Sequence, residues 1–166
     1  MAKLDYILLK AYKSKFWLGI LNIALNYVIP FNLPHRFKII YLSKNKIKVK
    51  IPYIRKNLNH LKGIHACALA TASEYACGFL LISNLSASKY RLIMRSMHVD
   101  YVKQGKGSLL VEFDLSDEVI EKIKNELEVK GQELYTYKVE CRNDKGELIS
   151  IASLEWQLKN WKLVKN

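Results

Sequence analysis

Between Asp5 and Glu74 the sequence has no acidic residue, while the same stretch carries 12 Lys and Arg. From Glu74 onward 14 acids stand against 14 bases, and Lys3 offsets Asp5, so the formal charge of +12 resides in residues 6–73. An imbalance confined to one half of a chain points to an anionic partner for that half: nucleic acid, a membrane surface or a phosphorylated small molecule. Glycine and proline are scarce, at seven and three of 166 residues, which excludes a collagenous or low-complexity chain. Half of the residues are apolar, which excludes disorder, and the length suits one domain with a core of its own.

Cysteine is also sparse. Cys67, Cys77 and Cys141 form no even framework and no C-x-x-C pair, so free thiols in a reducing, cytoplasmic setting are expected. Cys67 and Cys77 lie in an apolar segment, where Cys acts as a small hydrophobe. No short apolar region ends in a small-residue cleavage site, so no leader is expected. The uncharged run over residues 16–31 is 16 residues long, contains Asn22 and Asn26, and reaches Pro30 near its end. A bilayer span needs about 20 apolar residues. The run therefore reads as a helix laid against the domain or a partner. An interfacial membrane helix stays open as well, because Lys10, Lys13 and Lys15 precede it.

Other absences narrow the chemistry. No Gly-rich phosphate loop and no G-x-S-x-G elbow occurs, which disfavours nucleotide hydrolysis and serine-hydrolase chemistry. His35, His60, His65 and His98 have no ligand spacing among themselves or with the cysteines, so neither metal nor cofactor is expected. No recognition helix or RNA-binding signature accompanies the basic residues, and the aromatics are scattered, so nucleic acid ranks below a membrane surface.

What is present is clear periodicity. Leu4, Leu8, Leu9, Tyr12, Phe16, Ile20 and Ile23 recur at spacings of three and four, predicting a helix over residues 4–28 that ends before Pro30 and Pro34. From Arg36 the period becomes two. Strands are predicted over 37–42 and 46–51, joined by Ser43-Lys44-Asn45. In the second of these, Lys46, Lys48 and Lys50 alternate with Ile47, Val49 and Ile51. Two readings of that basic face stay open: lysines guarding a sheet edge, or an anion-binding face. A basic loop over 54–63 follows. Residues 64–82 are Ala-rich and apolar nearly all round, with Glu74 as their single charge, and read as a helix buried on most sides, closed by Ser83-Asn84 and by Ser86 to Ser88. Beyond it strands are predicted over 90–102, 108–115, 133–142 and 147–158. A charged surface helix over 117–130, capped by Ser116, lies between the second and third of these, and a hairpin turn at Asn143-Asp144-Lys145-Gly146 joins the last two. No repeat or linker is evident. The expected organisation is an N-terminal helix (1–29) packed on a single α+β domain (30–166), in which about six strands of curved antiparallel sheet wrap a long central helix.

Two segments with this element order resemble a known family. Asn59-His60-Leu61-Lys62-Gly63-Ile64-His65-Ala66-Cys67-Ala68, with Glu74 nine residues after His65, looks like the loop-to-helix signature of hotdog-fold acyl-CoA thioesterases. Val99-Asp100-Tyr101-Val102-Lys103 running into Gly107-Ser108-Leu109 resembles the strand-turn-strand after their central helix. The match is closest to the phenylacetyl-CoA thioesterase-like branch and to related hotdog families of unassigned function, and covers roughly residues 30–160. Two departures stand out. The His-Gly-Gly of the active branch is His65-Ala66-Cys67 here, and its glycine three before the His is Lys62, with Gly63 one place later.

The resemblance implies hydrolysis of acyl-CoA thioesters. Glu74 would serve as general base or nucleophile, the helix N-terminus near His65 and Ala66 as the oxyanion site, and Asn59 or His60 would orient water or the carbonyl. Gly63 and Ala66 would lie against the substrate, and Arg55, Lys56 and Lys62 would meet the phosphates of coenzyme A. Nine helical residues separate His65 and Glu74 by about 13.5 Å. The family's answer is a homodimer, or a tetramer of such dimers, in which the carboxylate of one subunit faces the helix N-terminus of the other. Plainer roles stay open for each residue: an interface pair for Glu74, a local cap for His65, a turn for Asn59. A non-catalytic acyl binder on the same fold, associated with a membrane surface, is the alternative.

Overall fold

The computed structural model describes residues 2–85 and 87–164, with side chains from Tyr6 onward. Ser86, part of the expected helix-closing turn, and residues 165–166 lie outside them. At the centre is a 19-residue helix, Ala66–Asn84. Its Ala-rich sequence favours helix, and it is apolar enough on most sides to need cover nearly all round. The cover is a single sheet. Its strands are β1 (Lys38–Leu42), β2 (Lys46–Ile51), β3 (Tyr90–Tyr101), β4 (Leu109–Asp114), β5 (Gln132–Arg142) and β6 (Leu148–Asn160). They lie in the order β1-β2-β4-β5-β6-β3, every neighbouring pair antiparallel. The central helix touches five of the six strands, all but the outer β1 being in contact with it. This is the hotdog arrangement that the element order implied.

The chain enters through two helices rather than one: α1 (Ala2–Ala11) and α2 (Lys15–Val28). The spacing of apolar residues runs without interruption through Tyr12-Lys13-Ser14, which is why the sequence reads as one helix. Ser14, however, adopts extended geometry (φ −143°, ψ 125°) and starts a new helix. The two then fold back on each other, so the rings of Tyr6 and Trp17 meet edge-on at 5.7 Å. On a continuous helix those residues would sit about 16 Å apart along the axis. Leu18, Leu21 and Leu25 form the buried stripe of α2. Asn22 fastens α2 to β1, its Nδ2 donating to the Ile39 carbonyl (3.0 Å) and its Oδ1 accepting from the Ile39 N–H (2.8 Å).

With the central helix now α3, the remaining helix is α4 (Asp117–Lys130). Ser116 caps it by accepting from the Val119 N–H at 3.3 Å, and Gly131, at φ 73°, ends it in the left-handed conformation that glycine adopts without strain. Ile120, Ile123 and Leu127 turn its apolar stripe toward β5 and β6. The hairpin turn before β6 likewise places Gly146 at φ 77°.

The basic face of β2 corrects the sheet-edge expectation. β2 lies inside the sheet, between β1 and β4, and Ile47, Val49 and Ile51 are buried. On the other face Lys46 and Lys48 pair with Glu112 of β4 at 2.9 and 2.7 Å. Burial raises the Glu112 pKa and these two lysines lower it by more, leaving the carboxyl below its ordinary range. Lys44 is similarly bound to Asp117 at 2.7 Å. Three bases of the acid-free half are thus ion-paired with two acids of the other half.

Sheet and helix approach closely at Gly78. A Cβ there would stand 2.8 Å from the Trp156 ring of β6. A larger side chain there must displace the Trp156 ring. Gly78→Val is expected to cost about 1–3 kcal/mol of unfolding free energy, and chemical denaturation measures it.

Candidate active site

The segment leading into α3 is held by one buried side chain. Asn57 is 0% exposed. Its Nδ2 donates to the carbonyls of His35 and Pro52, both at 2.9 Å, and its Oδ1 lies 2.9 Å from His35 Nδ1. Its own carbonyl accepts the His65 N–H at 2.8 Å, while the Ile64 N–H donates to Gly105 (2.8 Å). Residues on both sides of the loop are thereby fixed just before the helix begins.

Within the loop Asn59 acts as a template. Its Oδ1 accepts from the N–H groups of Leu61 and Gly63, both at 3.0 Å, and its N–H donates to the Gly63 carbonyl at 2.9 Å. Lys62 takes a left-handed φ of 58°. That is the position where the thioesterase signature carries glycine, and the backbone keeps the shape such a glycine would serve. Gly63 is buried against Gln104, whose side chain would lie 2.8 Å from any Cβ. His65 caps the helix: its Nδ1 accepts from the Cys67 N–H at 3.1 Å. The Ala66 amide has no hydrogen-bond partner among the described residues. It stands at the positive end of the helix dipole, as an oxyanion donor must. Cys67 is exposed, not the small core hydrophobe expected, because it lies on the turn of α3 that emerges from the sheet. Cys77 and Cys141 are buried.

The expected site residues separate into three places. A cavity of about 460 Å³ at the start of α3 is lined by Asn59, Ala66, Leu69, Tyr101 and Gln104, among others. A second, of about 480 Å³, lies farther along α3 and is bordered by Glu74, Tyr75, Phe79, Tyr90, Arg91 and Trp156. Arg55, Lys56, His60 and Lys62 are exposed and line neither. Within one chain, Asn59 and Ala66 come together, but Glu74 does not join them.

Glu74 is half-buried, and burial pushes its pKa above the ordinary carboxylate value. Ala66, Ala70 and Glu74 follow one another at i+4 on the face of α3 that the sheet leaves least covered. β3 ties the two cavities together. Its Tyr101 end carries a hydroxyl that donates to the Ala66 carbonyl at 3.3 Å, and its Tyr90–Arg91 end borders the Glu74 cavity. Arg91 lies over the Trp161 ring at 5.9 Å.

Sequence reasoning missed Asn57, Arg91, Gln104 and Trp161. Tyr101 stood inside the second resembling segment and was within reach. The others carry no local signature; only the pairing of strands brings them to the helix.

Burial of Glu74 has a measurable sign. Between the ordinary carboxylate pKa and the raised one, the unfolded chain has lost the proton and the folded chain retains it. Stability therefore falls as pH rises through that interval. Glu74→Gln cannot titrate and escapes the loss. Its melting temperature is expected to match the wild type near pH 4 and exceed it near pH 8; a difference constant across that range would contradict the assignment.

Comparison with known proteins agrees with the fold. Among solved structures, a Pseudomonas aeruginosa protein of unknown function, PA5026, described as a probable thioesterase, superposes with a TM-score of 0.76 at 22% identity over 81% of this chain and 90% of its own. The Haemophilus influenzae thioesterase HI1161 gives 0.67 at 12% identity, covering 90% of this chain and 94% of its own. A mutant of the Pseudomonas aeruginosa thioesterase PA1618 gives 0.68 at 9%, covering 90% and 98%. At these identities the likeness establishes the hotdog fold shared with thioesterases. No curated protein matches the sequence. The profile of a domain of unknown function, DUF4442, matches residues 19–166, nearly the whole chain from within α2 to its last residue, and the protein belongs to that hotdog family.

Proposed function

We infer that this protein is a hotdog-fold thioesterase acting on acyl-CoA esters as a homodimer, with each active site shared between two subunits. The observation that carries this reading is the position of the two half-sites at opposite ends of β3. β3 is a sheet edge of 12 residues, paired with β6 on one side and with no strand on the other among the described residues. Antiparallel pairing of two β3 strands about their midpoint sets the Tyr101 end of one beside the Tyr90 end of its partner. The free Ala66 amide and Asn59 of one subunit then meet Glu74 of the other.

The chemistry divides accordingly. The acyl chain occupies the largely apolar cavity walled by Tyr75, Phe79 and Trp156. Glu74, with its raised pKa, takes a proton from water or attacks the carbonyl carbon directly. The Ala66 N–H receives the oxyanion. His65, whose Nδ1 accepts the Cys67 N–H, supports the helix start. Arg55, Lys56 and Lys62, exposed on the loop with His60, face the phosphates of coenzyme A. A second reading, an acyl binder without turnover, draws support from Ala66 and Cys67, which stand where the active branch has two glycines.

Purified protein is expected to hydrolyse members of an acyl-CoA panel, and Glu74→Gln to lower kcat on the order of a hundredfold or more. Hydrolysis of none of the esters, with co-purified acyl ligand found by mass spectrometry, would favour the binder. The shared site has its own test. Glu74→Gln and Ala66→Trp subunits, each inactive alone, are refolded together in equal amounts. Mixed dimers then contain one intact site in two, and activity recovers to roughly one quarter of wild type. No recovery would mean that each chain holds its site alone.

A further inference from the structure

Helix α2 carries a second apolar stripe that nothing in the fold covers. Phe16, Ile20, Ile23 and Tyr27 recur at spacings of four, three and four, opposite the buried Leu18, Leu21 and Leu25. Phe16 is 72% exposed, Ile23 61% and Tyr27 83%. The stripe continues into the short 3-10 helix Pro30–His35, where Phe31 and Leu33 are also exposed. From Phe16 to Pro34 there is no charged residue. Asn22, the polar residue at mid-helix, is committed to the Ile39 backbone and so holds the stripe outward. A contiguous exposed surface of this kind marks a contact site.

The charge around the stripe identifies the contact. Lys10, Lys13 and Lys15 stand exposed at its start, and Arg36 and Lys38 at its far end, where with Ile23, Asn26 and Leu33 they line a groove of about 490 Å³. No ion pair involves any of these five bases among the described residues, whereas Lys44, Lys46 and Lys48 are all paired. A second copy of the same patch would bring like charges against one another. Apolar surface whose rim, among the described residues, carries these five bases fits a surface that is anionic above and apolar beneath. Phe16 and Trp17 are in edge contact at 6.1 Å and Trp17 reaches Tyr6, giving the aromatic cluster favoured at the headgroup level.

We propose that α2 and the turn after it dock this protein on anionic lipid bilayers, the apolar stripe entering the interface and the five bases meeting the headgroups. Ile29, which follows α2, borders the Glu74 cavity, so the docked helix ends at the cavity wall. The lipid contact stands independently of hydrolysis: it rests on residues outside both half-sites.

The test is flotation of the full-length protein with phosphatidylcholine vesicles, with and without roughly one quarter phosphatidylglycerol. Binding is expected on the anionic vesicles and is weakened by salt. A Phe16→Ser, Ile23→Ser, Tyr27→Ser variant is expected to lose it. A Lys10→Glu, Lys13→Glu, Lys15→Glu variant is expected to bind on the order of a hundredfold more weakly. All six side chains are exposed, and thermal melts verify that each variant is folded. Should the serine variant not fold, the lysine variant decides. Absence of binding to both vesicle types, or binding unchanged in the variants, overturns the proposal. So does a fall in oligomeric mass in the serine variant, which would show that another copy covers the stripe.

Discussion

A helix that is apolar almost all the way round cannot be satisfied by one flat layer. α3 is such a helix, and the sheet must bend until five strands touch it. Even then one sheet encloses a cylinder incompletely, and the strip left over runs through Ala66, Ala70 and Glu74. The candidate chemistry sits on that strip. Partial burial raises the affinity of Glu74 for its proton, while the helix start remains free to present the Ala66 amide. The same wrapping dictates what lies beside the strip: β3, the edge at which the sheet stops.

Reach of the sequence was uneven, for physical reasons. β2 and α4 have the predicted bounds, 46–51 and 117–130, because alternation in one and capping at Ser116 in the other are local signals. The division of the first helix was hidden because a uniform apolar period passes through Tyr12-Lys13-Ser14, and periodicity records faces, not breaks. The lysine face of β2 admitted either edge protection or anion binding because no local feature announces that β4, some sixty residues away, supplies Glu112. The loop before α3 was legible as a motif, and Asn59 and His65 do have turn and cap geometry. Asn57, two residues before Asn59, makes the deeper connection and carries no signature, since its partners come from His35 and Pro52.

The charge asymmetry divides in the same manner. The acid-free stretch supplies α1 beyond Asp5, α2, β1, β2, the loop into α3 and the first residues of α3, and acids of β4 and α4 bind three of its lysines. Apart from Lys50 on β2, the bases without an ion pair among the described residues collect at two surfaces: the ends of α2, and the loop bearing Arg55, Lys56 and Lys62. A single number for the chain thus resolves into an internal clasp between strands and two separate basic surfaces.

The seam between β4 and β5 is short. Only Leu110, Val111 and Glu112 pair across it, whereas β5 and β6 are joined along nearly their full length. The sheet thus divides into two leaves, β1-β2-β4 and β5-β6-β3, joined by three residue pairs, and α3 packs on strands of both. Trp156 of the second leaf and Phe79 of α3 both border the Glu74 cavity, so the seating of α3 against that leaf sets the width available to a ligand.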